Sequence, residues 1–223
     1  LGDVYKRQNR ISHHRETFFG TPFEVINIPK PNNTAYTADA LRNHTDLPYF
    51  EYAPGYQFLH CLVNEANGGL SSVVDGFAVA NYLKKNEKNV FNILTKTYVK
   101  FKDTDYTQKA VRILHSPIIT LTKDNDFNDI RFSMAAMGAV DVDPKKMKKF
   151  YEAYQYFASL LQNKKFKIDF RLEAGDIFCF NNRRVLHGRT EFDPNSGNRH
   201  LQGYYIERDE IIGRLNYFNN IKV

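Results

Sequence analysis

The sequence predicts a mainly β protein with flanking helices, folded as a double-stranded β-helix, or jelly roll. Eight short runs are rich in β-branched and aromatic residues and are bounded by Gly, Asn, Asp or Pro, which is the composition of strands separated by turns. Only two longer stretches have the features of helices. Many short strands broken by few helices are typical of a jelly roll.

The predicted strands are spread over most of the chain. They cover residues 56–63, 71–74, 98–101, 117–122, 129–133, 166–172, 176–180 and 201–207. Residues 173–176, Glu-Ala-Gly-Asp, predict a turn that feeds the strand leading to His187. We therefore expect His187 to lie on a rigid element.

Two helices are predicted between the strands. Asp143 and Pro144 provide an N-cap and an N1 proline for a helix over residues 145–163. Its apolar residues recur at helical spacing: Met147, Phe150, Tyr154, Phe157, Leu160 and Leu161. A second helix is predicted over residues 77–94.

Size and composition indicate one globular domain. The chain has 223 residues, of which 42% are hydrophobic and 14% aromatic, enough for a sizeable core. No apolar run approaches the roughly 20 residues that span a bilayer, and no signal-peptide pattern opens the chain. We therefore expect a cytoplasmic protein with no membrane partner.

Cys61 and Cys179 each lie in an apolar strand-like run, which predicts two reduced core thiols; a disulfide or metal pair is the alternative.

The net charge of +6 raises the question of nucleic-acid binding. Lysines cluster at residues 84–88, 145–149 and 164–167. Two clusters fall on predicted helices, where they form a solvated face, and no recognised nucleic-acid motif accompanies them. We expect no nucleic-acid partner and a modest attraction for anionic small molecules. The alternative, a basic nucleic-acid protein, predicts salt-dependent binding.

A candidate metal site is formed by His44-Thr45-Asp46 together with the distant His187. Residues i and i+2 of an extended segment point the same way, so His44 and Asp46 can offer an imidazole and a carboxylate to one ion. Two histidines and one carboxylate form the facial triad that holds non-haem Fe(II) with three open positions. Taken alone, the tripeptide also fits a surface histidine beside a turn-forming aspartate. Arg199, twelve residues beyond His187, is placed to pair with an acidic cosubstrate.

Several motifs occur in a consistent order between about residues 15 and 215. They are Asn-Asn-Thr-Ala-Tyr-Thr at 32–37, His-Thr-Asp at 44–46, residues 55–62, Gly68-Gly69, Val-Asp-Gly-Phe at 74–77, Val-Leu-His-Gly-Arg at 185–189 and residues 199–205. With these motifs the chain resembles the γ-butyrobetaine and trimethyllysine dioxygenases. They belong to the taurine dioxygenase-like, Fe(II)- and 2-oxoglutarate-dependent oxygenases.

The resemblance implies both a cofactor and a cosubstrate. It assigns Fe(II) to His44, Asp46 and His187, and it makes 2-oxoglutarate and O2 cosubstrates, with ascorbate as the reductant. In the family, an arginine binds the distal carboxylate of 2-oxoglutarate, and the resemblance assigns this role to Arg199. The planar guanidinium suits it, because it can donate two hydrogen bonds to one carboxylate. Ser71 falls where related enzymes have a hydroxyl on the same carboxylate; a loop-capping role is the alternative.

The resemblance also implies a substrate that carries a trimethylammonium group and an acid. Aromatic cages bind such cations by cation–π contacts, and the cage positions here are Phe19, Phe23, Tyr36 and Tyr205. Asn33 matches an asparagine that contacts the substrate's carboxylate end. Two departures stand out: the chain has no Trp, which is usual at position 23, and residues 133–137 replace an amide-rich segment.

Hydroxylation of γ-butyrobetaine, forming carnitine, is therefore the first functional hypothesis. Trimethyllysine or another small acid is the alternative within the same chemistry. From another class, a non-catalytic jelly-roll protein that binds a small acid would use the same cavity.

The resemblance also sets the domain prediction. Residues 1–14 are interpreted as a scar or a disordered N-terminus, and residues 15–223 as the catalytic domain. Relatives commonly carry an N-terminal domain with a cysteine-rich zinc site, and we expect none within these residues, which have only two cysteines. A homodimer is expected by the same resemblance.

Overall fold

A computed structural model describes residues 11–28 and 34–220, and the structural statements below concern this part of the chain. It contains twelve strands: β1 Phe23–Ile26, β2 Leu41–His44, β3 Tyr56–Asn64, β4 Ser71–Asp75, β5 Val99–Asp105, β6 Ala110–Ser116, β7 Ile119–Leu121, β8 Phe127–Ile130, β9 Lys167–Phe170, β10 Ile177–Asn181, β11 Val185–Arg189 and β12 Arg199–Ile206. The helices are α1 Gly76–Asn86, α2 Lys88–Lys96, α3 Pro144–Leu160 and α4 Arg208–Asn220. A single 3-10 turn, Thr34–Tyr36, precedes β2.

Most strands belong to two four-stranded antiparallel sheets. Sheet A has the order β1–β12–β3–β10, and sheet B has the order β2–β11–β4–β9. Two hairpins, β5–β6 and β7–β8, complete the β structure. Neighbouring strands in each sheet are far apart in sequence, as in a jelly roll, and the predicted fold class is confirmed.

The main core lies between sheet B and three of the helices. Val74 of β4 and Leu186 of β11 are almost fully buried there. The helices contribute Val79, Ala80 and Leu83 from α1, Phe91 and Leu94 from α2, and Phe150, Ala153, Tyr154, Phe157 and Leu160 from α3. Burial of the Val, Leu and Phe side chains among these stabilises a fold by roughly 1.5–3 kcal/mol each, so the helices hold sheet B in place.

The helix predicted over residues 77–94 is two helices. Glu87 has φ −134° and ψ 58°, which no helix accommodates. Asn86 ends α1 because its side-chain amide donates to the Tyr82 carbonyl, and the Glu87 N–H closes the last turn on Leu83. The single-helix prediction was therefore wrong at this break. The α3 prediction was nearly right, since Asp143 caps the Lys145 N–H and the helix ends at Leu160, three residues early.

One of the two predicted core thiols is not in the core. Cys61, on β3, is fully buried, as predicted. Cys179 is exposed because β10 is the edge strand of sheet A and its side chains alternate between two faces. Phe178 and Phe180 take the inward face, where Phe178 packs on Phe170, so Cys179 points outward. Both cysteines are free.

The first described residues lie against the end of sheet A. His14 pairs with Ile206 of β12, and the buried Ser12 hydroxyl donates to Glu210 of α4. The division of the chain at residue 15 stays a prediction. Of the helices described here, none has the length and apolar character needed to cross a membrane.

Candidate metal centre and its cavity

Three ligand-type side chains converge where β2 ends beside the middle of β11. The two strands pair antiparallel with His44 opposite His187, and Asp46 follows β2 by two residues. Asp46 Oδ1 lies 3.2 Å from His44 Nε2 and 3.8 Å from His187 Nε2. One ligand atom from each residue falls within 4.8 Å of the other two. Two imidazole nitrogens and one carboxylate oxygen are a donor set that suits divalent iron.

The two histidines are held in different ways. His44 Nδ1 lies 2.8 Å from the Arg42 carbonyl, which can only accept, so Nδ1 donates to it and Nε2 is the ring nitrogen that faces Asp46. The His187 ring packs instead between His44 and Phe180, with ring centroids 4.5 Å and 4.8 Å away. Both imidazoles are thus fixed before any ion binds.

Asp46 is anchored by both its backbone and its side chain. Its N–H donates to Asn182 Oδ1 over 2.8 Å, and Asn182 Nδ2 donates to the Asp46 and Pro54 carbonyls. Its Oδ2 accepts a 2.6 Å hydrogen bond from the Tyr205 hydroxyl. Asn182 is completely buried, so this amide joins the turn after β2 to the turn before β11.

Burial and charge set the protonation of the three groups. Burial raises the pKa of Asp46, but the nearby His187, the hydrogen bonds from His44 and Tyr205, and the charge of His44 outweigh it and hold that pKa well below its usual range. Burial lowers the pKa of His187 to about 4, against the opposing pull of Asp46. Burial also lowers the pKa of His44, but its contacts with Asp46 more than compensate and raise it. The site therefore offers a carboxylate and a neutral imidazole at neutral pH.

The triad lies in a cavity of about 230 Å³ that two arginines, Arg189 and Arg199, also line. Arg199, the first residue of β12, has a buried Nε with no hydrogen-bond partner among the described residues. Burial lowers the pKa of Arg199 and of Arg189 to about 10, so both remain cations. The Arg199 side chain packs closely against the backbone at position 69. Glycine leaves room for it, because a Cβ there would lie 3.0 Å from Arg199 Nε.

Ser71 lines the same cavity and is 8% exposed. Within the described part of the chain its hydroxyl makes no hydrogen bond, so the loop-capping alternative has no contact to support it. On β4, Ser71 pairs across the sheet with Arg189 of β11. Arg189 donates 2.7 Å hydrogen bonds to the Thr37 and Asp39 carbonyls, which ties the segment after the 3-10 turn to sheet B.

Four of the five predicted substrate residues line this cavity: Phe19, Phe23, Tyr36 and Tyr205. Phe23 stacks on Tyr205 with ring centroids 4.9 Å apart, and Phe19 lies 6.1 Å from Phe23. Asn33, the fifth, lies outside the described residues. Ser133, Ala135 and Ala136 also line the cavity, so the segment that departs from the relatives' pattern belongs to its wall.

Sequence reasoning missed several residues that shape the site. Asn182 carries no local signal other than its place five residues before His187. Tyr49 lines the cavity, and burial together with Asp103 and Asp46 raises its pKa well above the usual range. Only its aromatic character just after the His-Thr-Asp motif could have pointed to it.

A jelly roll with a two-histidine, one-carboxylate centre beside an arginine-bearing cavity defines a class of metal-dependent oxygenase folds. The family described as taurine catabolism dioxygenase TauD, TfdA family matches residues 2–205, and the chain belongs to it.

Named relatives agree with this membership. The chain is 42% identical over 214 residues to γ-butyrobetaine dioxygenase of Pseudomonas sp. (strain AK-1), covering 96% of this chain and 55% of that protein. It is 30% identical over 220 residues to trimethyllysine dioxygenase of Meyerozyma guilliermondii, covering 97% and 54%. The chain thus spans about half the length of the curated relatives it matches.

The fold has a close counterpart among solved structures. Asparagine oxygenase in complex with Fe(II), (2S,3S)-3-hydroxyasparagine and succinate superposes with a TM-score of 0.69 at 20% identity. The match covers 84% of this chain and 57% of that one. At this identity the likeness establishes the jelly-roll fold.

Proposed function

We propose that the chain carries the catalytic domain of an Fe(II)- and 2-oxoglutarate-dependent dioxygenase that hydroxylates a small trimethylammonium-bearing acid. The observation that carries the proposal is the convergence of His44, Asp46 and His187 on one point within the cavity of a TauD-family jelly roll. γ-Butyrobetaine, with carnitine as product, is the first candidate substrate because a relative 42% identical is named for it.

The residues present fit the proposed metal. The two imidazole Nε2 atoms and Asp46 Oδ1 would hold Fe(II), since they already face one another. When bound, Fe(II) would supply the oxidising power for hydroxylation from O2, with 2-oxoglutarate consumed to succinate and CO2 and with ascorbate as the reductant. The residues of the chain would position 2-oxoglutarate and the substrate beside that centre.

Arg199 is the proposed anchor for the cosubstrate. Arg199 is partly buried, its Nε is fully buried, and no described carboxylate pairs with it, an arrangement that is unfavourable unless an anion reaches it. The distal carboxylate of 2-oxoglutarate fits that need through paired charge-assisted hydrogen bonds. The Ser71 hydroxyl, free of described partners and lining the same cavity, is proposed to add a further donor.

The aromatic residues are the proposed site for the substrate's cation. Phe19, Phe23, Tyr36 and Tyr205 line one cavity with the triad, and aromatic faces attract a trimethylammonium group by roughly 0.5–2 kcal/mol per contact. Asn33 stays a prediction for the acid end. Trimethyllysine is the alternative substrate, because a 30% identical relative is named for it and residues 133–136 in the cavity wall lack the amides expected for γ-butyrobetaine.

The remaining expectations complete the proposal. We infer a cytoplasmic enzyme, with a homodimer as the expected assembly and with small molecules, not nucleic acid or membrane, as its partners. A non-catalytic small-acid binder is the competing function. It would bind 2-oxoglutarate in the same cavity without consuming it.

The test is succinate release from 2-oxoglutarate with Fe(II) and ascorbate, across a panel of quaternary ammonium acids. We expect release to rise with γ-butyrobetaine or trimethyllysine and to stop in Asp46→Ala. Tight binding of 2-oxoglutarate with no succinate for any compound would favour the non-catalytic binder. Salt-dependent binding of duplex or single-stranded DNA would favour the nucleic-acid alternative.

A further inference from the structure

We propose that Tyr205 is a positioning residue for the metal centre: its hydroxyl holds one oxygen of Asp46 and presents the other oxygen alone to the two histidines. The inference rests on the proposed metal site and adds to the aromatic role proposed for the same side chain. It concerns metal binding itself, so it can be tested without knowing the substrate.

The two oxygens of Asp46 have separate partners. Oδ2 accepts the Tyr205 hydroxyl at 2.6 Å, whereas Oδ1 is the oxygen that faces His44 Nε2 at 3.2 Å and His187 Nε2 at 3.8 Å. Asp46 follows β2 of sheet B and Tyr205 lies on β12 of sheet A. This hydrogen bond therefore connects the two sheets at the ligand set.

The Tyr205 ring is fixed before the hydroxyl acts. It is 2% exposed and stacks on Phe23 at 4.9 Å with an interplanar angle of 30°. Phe23 can lie there because its cross-strand partner is Gly203, where a Cβ would come within 2.0 Å of the Phe23 ring. Packing of Phe23 against Gly203 and Tyr205 thus orients the Tyr205 hydroxyl toward Asp46 Oδ2.

The consequence concerns how the carboxylate can coordinate. A facial triad keeps three positions open only when its carboxylate binds through a single oxygen, since chelation through both oxygens would occupy one of them. A hydrogen bond to an ionised carboxylate is stronger than a neutral one, so Oδ2 is costly to release. Removing a residue that hydrogen-bonds to a metal ligand typically lowers metal affinity about 10–100-fold.

The experiment compares metal binding by the wild-type chain and Tyr205→Phe, which loses only the hydroxyl. Affinities for Mn(II) and Co(II) are measured anaerobically by competition with a fluorescent chelator, with neither 2-oxoglutarate nor substrate present. We expect Tyr205→Phe to bind both metals about tenfold or more weakly. We also expect its Co(II) visible absorption to change, because the freed Oδ2 can then coordinate.

Tyr204→Phe is the matched control. It removes the neighbouring buried hydroxyl on β12, which donates to Gln202 Oε1 at 3.4 Å and not to Asp46. Metal affinity and the Co(II) spectrum should match the wild type. Equal losses in the two variants would show general destabilisation and overturn the inference, as would wild-type affinity and spectrum in a folded Tyr205→Phe.

A second measurement keeps the hydroxyl in place. With 3-fluorotyrosine at position 205, the fluorine resonance of the metal-free protein should shift when Asp46 is replaced by Ala, and an unshifted resonance would contradict the hydrogen bond. Failure of the wild-type chain to bind either metal would count instead against the proposed function. The two failures are therefore distinguishable.

Discussion

At the scale of single residues, the two arginines that line the cavity differ from the buried Arg131, which has an ion partner. Arg131, 6% exposed, has Asp129 at 3.0 Å and three backbone carbonyls around its guanidinium. Arg199 makes no ion pair with any described residue, and Arg189 has an unpartnered buried Nε. Because burying a charge without an ion partner is costly, the two free Nε atoms indicate where an anion belongs.

The first prediction concerns the triad. Replacing His44, Asp46 or His187 by Ala removes one of three ligands, and we expect loss of stoichiometric Fe(II) binding and of turnover in each variant. The fold should persist, since the ligands lie on strands that pair without an ion. Metal content and melting temperature report the two effects. Unchanged iron stoichiometry with retained activity in Asp46→Ala would refute the assignment.

The second prediction concerns Arg199. Arg199→Ala should weaken 2-oxoglutarate binding by about 1.5–3 kcal/mol, the usual worth of a hydrogen bond to a charged group, with a smaller effect on iron. Arg199→Lys should recover only part, since an ammonium lacks the planar fork. The apparent affinity for 2-oxoglutarate in the succinate assay measures both. Exposed Arg214→Ala is the control, and an unchanged affinity in Arg199→Ala would transfer the role to Arg189.

At the scale of elements, the site depends on the turn that follows β2. Arg131, just after β8, donates to the carbonyls of Pro48, Phe50 and Glu51. Asn182 holds the same turn from the other side through the Asp46 backbone. Two buried polar side chains from distant parts of the chain therefore fix the segment that carries the carboxylate ligand.

The third prediction tests this clamp. Arg131→Met leaves Asp129, which is 4% exposed, without its cation, and breaking such a buried pair typically costs about 3–5 kcal/mol. For a chain of this size that lowers the melting temperature by roughly 6–20 °C. The double variant Arg131→Met with Asp129→Leu should recover part of the loss, because no charge is left buried. A melting temperature within about 2 °C of wild type in Arg131→Met would refute the clamp.

Sequence patterns predicted elements where one face of a segment is apolar, and failed elsewhere. The α3 pattern was visible because its apolar residues face the core at helical spacing. Helix α4 was not predicted, since it has no buried residue and hence no stripe to detect. Strand β2, Leu-Arg-Asn-His, was not predicted because it has one apolar residue and no β-branched or aromatic one. The His44–Asp46 spacing predicted their proximity, but Asn182 and Arg131 act through long-range contacts that no local pattern encodes.

At the scale of the whole molecule, the cavity draws on both sheets and on the segment before them. Sheet B supplies His44, His187 and Arg189, and sheet A supplies Phe23, Arg199 and Tyr205. The jelly roll thus places the proposed anion anchor and the aromatic residues in one cavity with the triad. A zwitterionic substrate and an acidic cosubstrate can then share one cavity, in which Arg199 would contact an anion and the aromatic residues a cation.

The last prediction is that the cavity recognises the positive charge of the substrate. If the aromatic residues hold a trimethylammonium group, replacing its nitrogen by carbon removes the charge but keeps the shape. We expect substrate-stimulated succinate formation to lose about tenfold in kcat/KM, equivalent to ~1.4 kcal/mol, within the range of cation–π contacts. γ-Butyrobetaine, trimethyllysine and their uncharged isosteres are compared at saturating 2-oxoglutarate, with Arg214→Ala as the unaffected control chain. Equal turnover of charged and uncharged compounds would show that Phe19, Phe23, Tyr36 and Tyr205 form only an apolar wall. The iron and 2-oxoglutarate chemistry would then stand, with the substrate selected by shape.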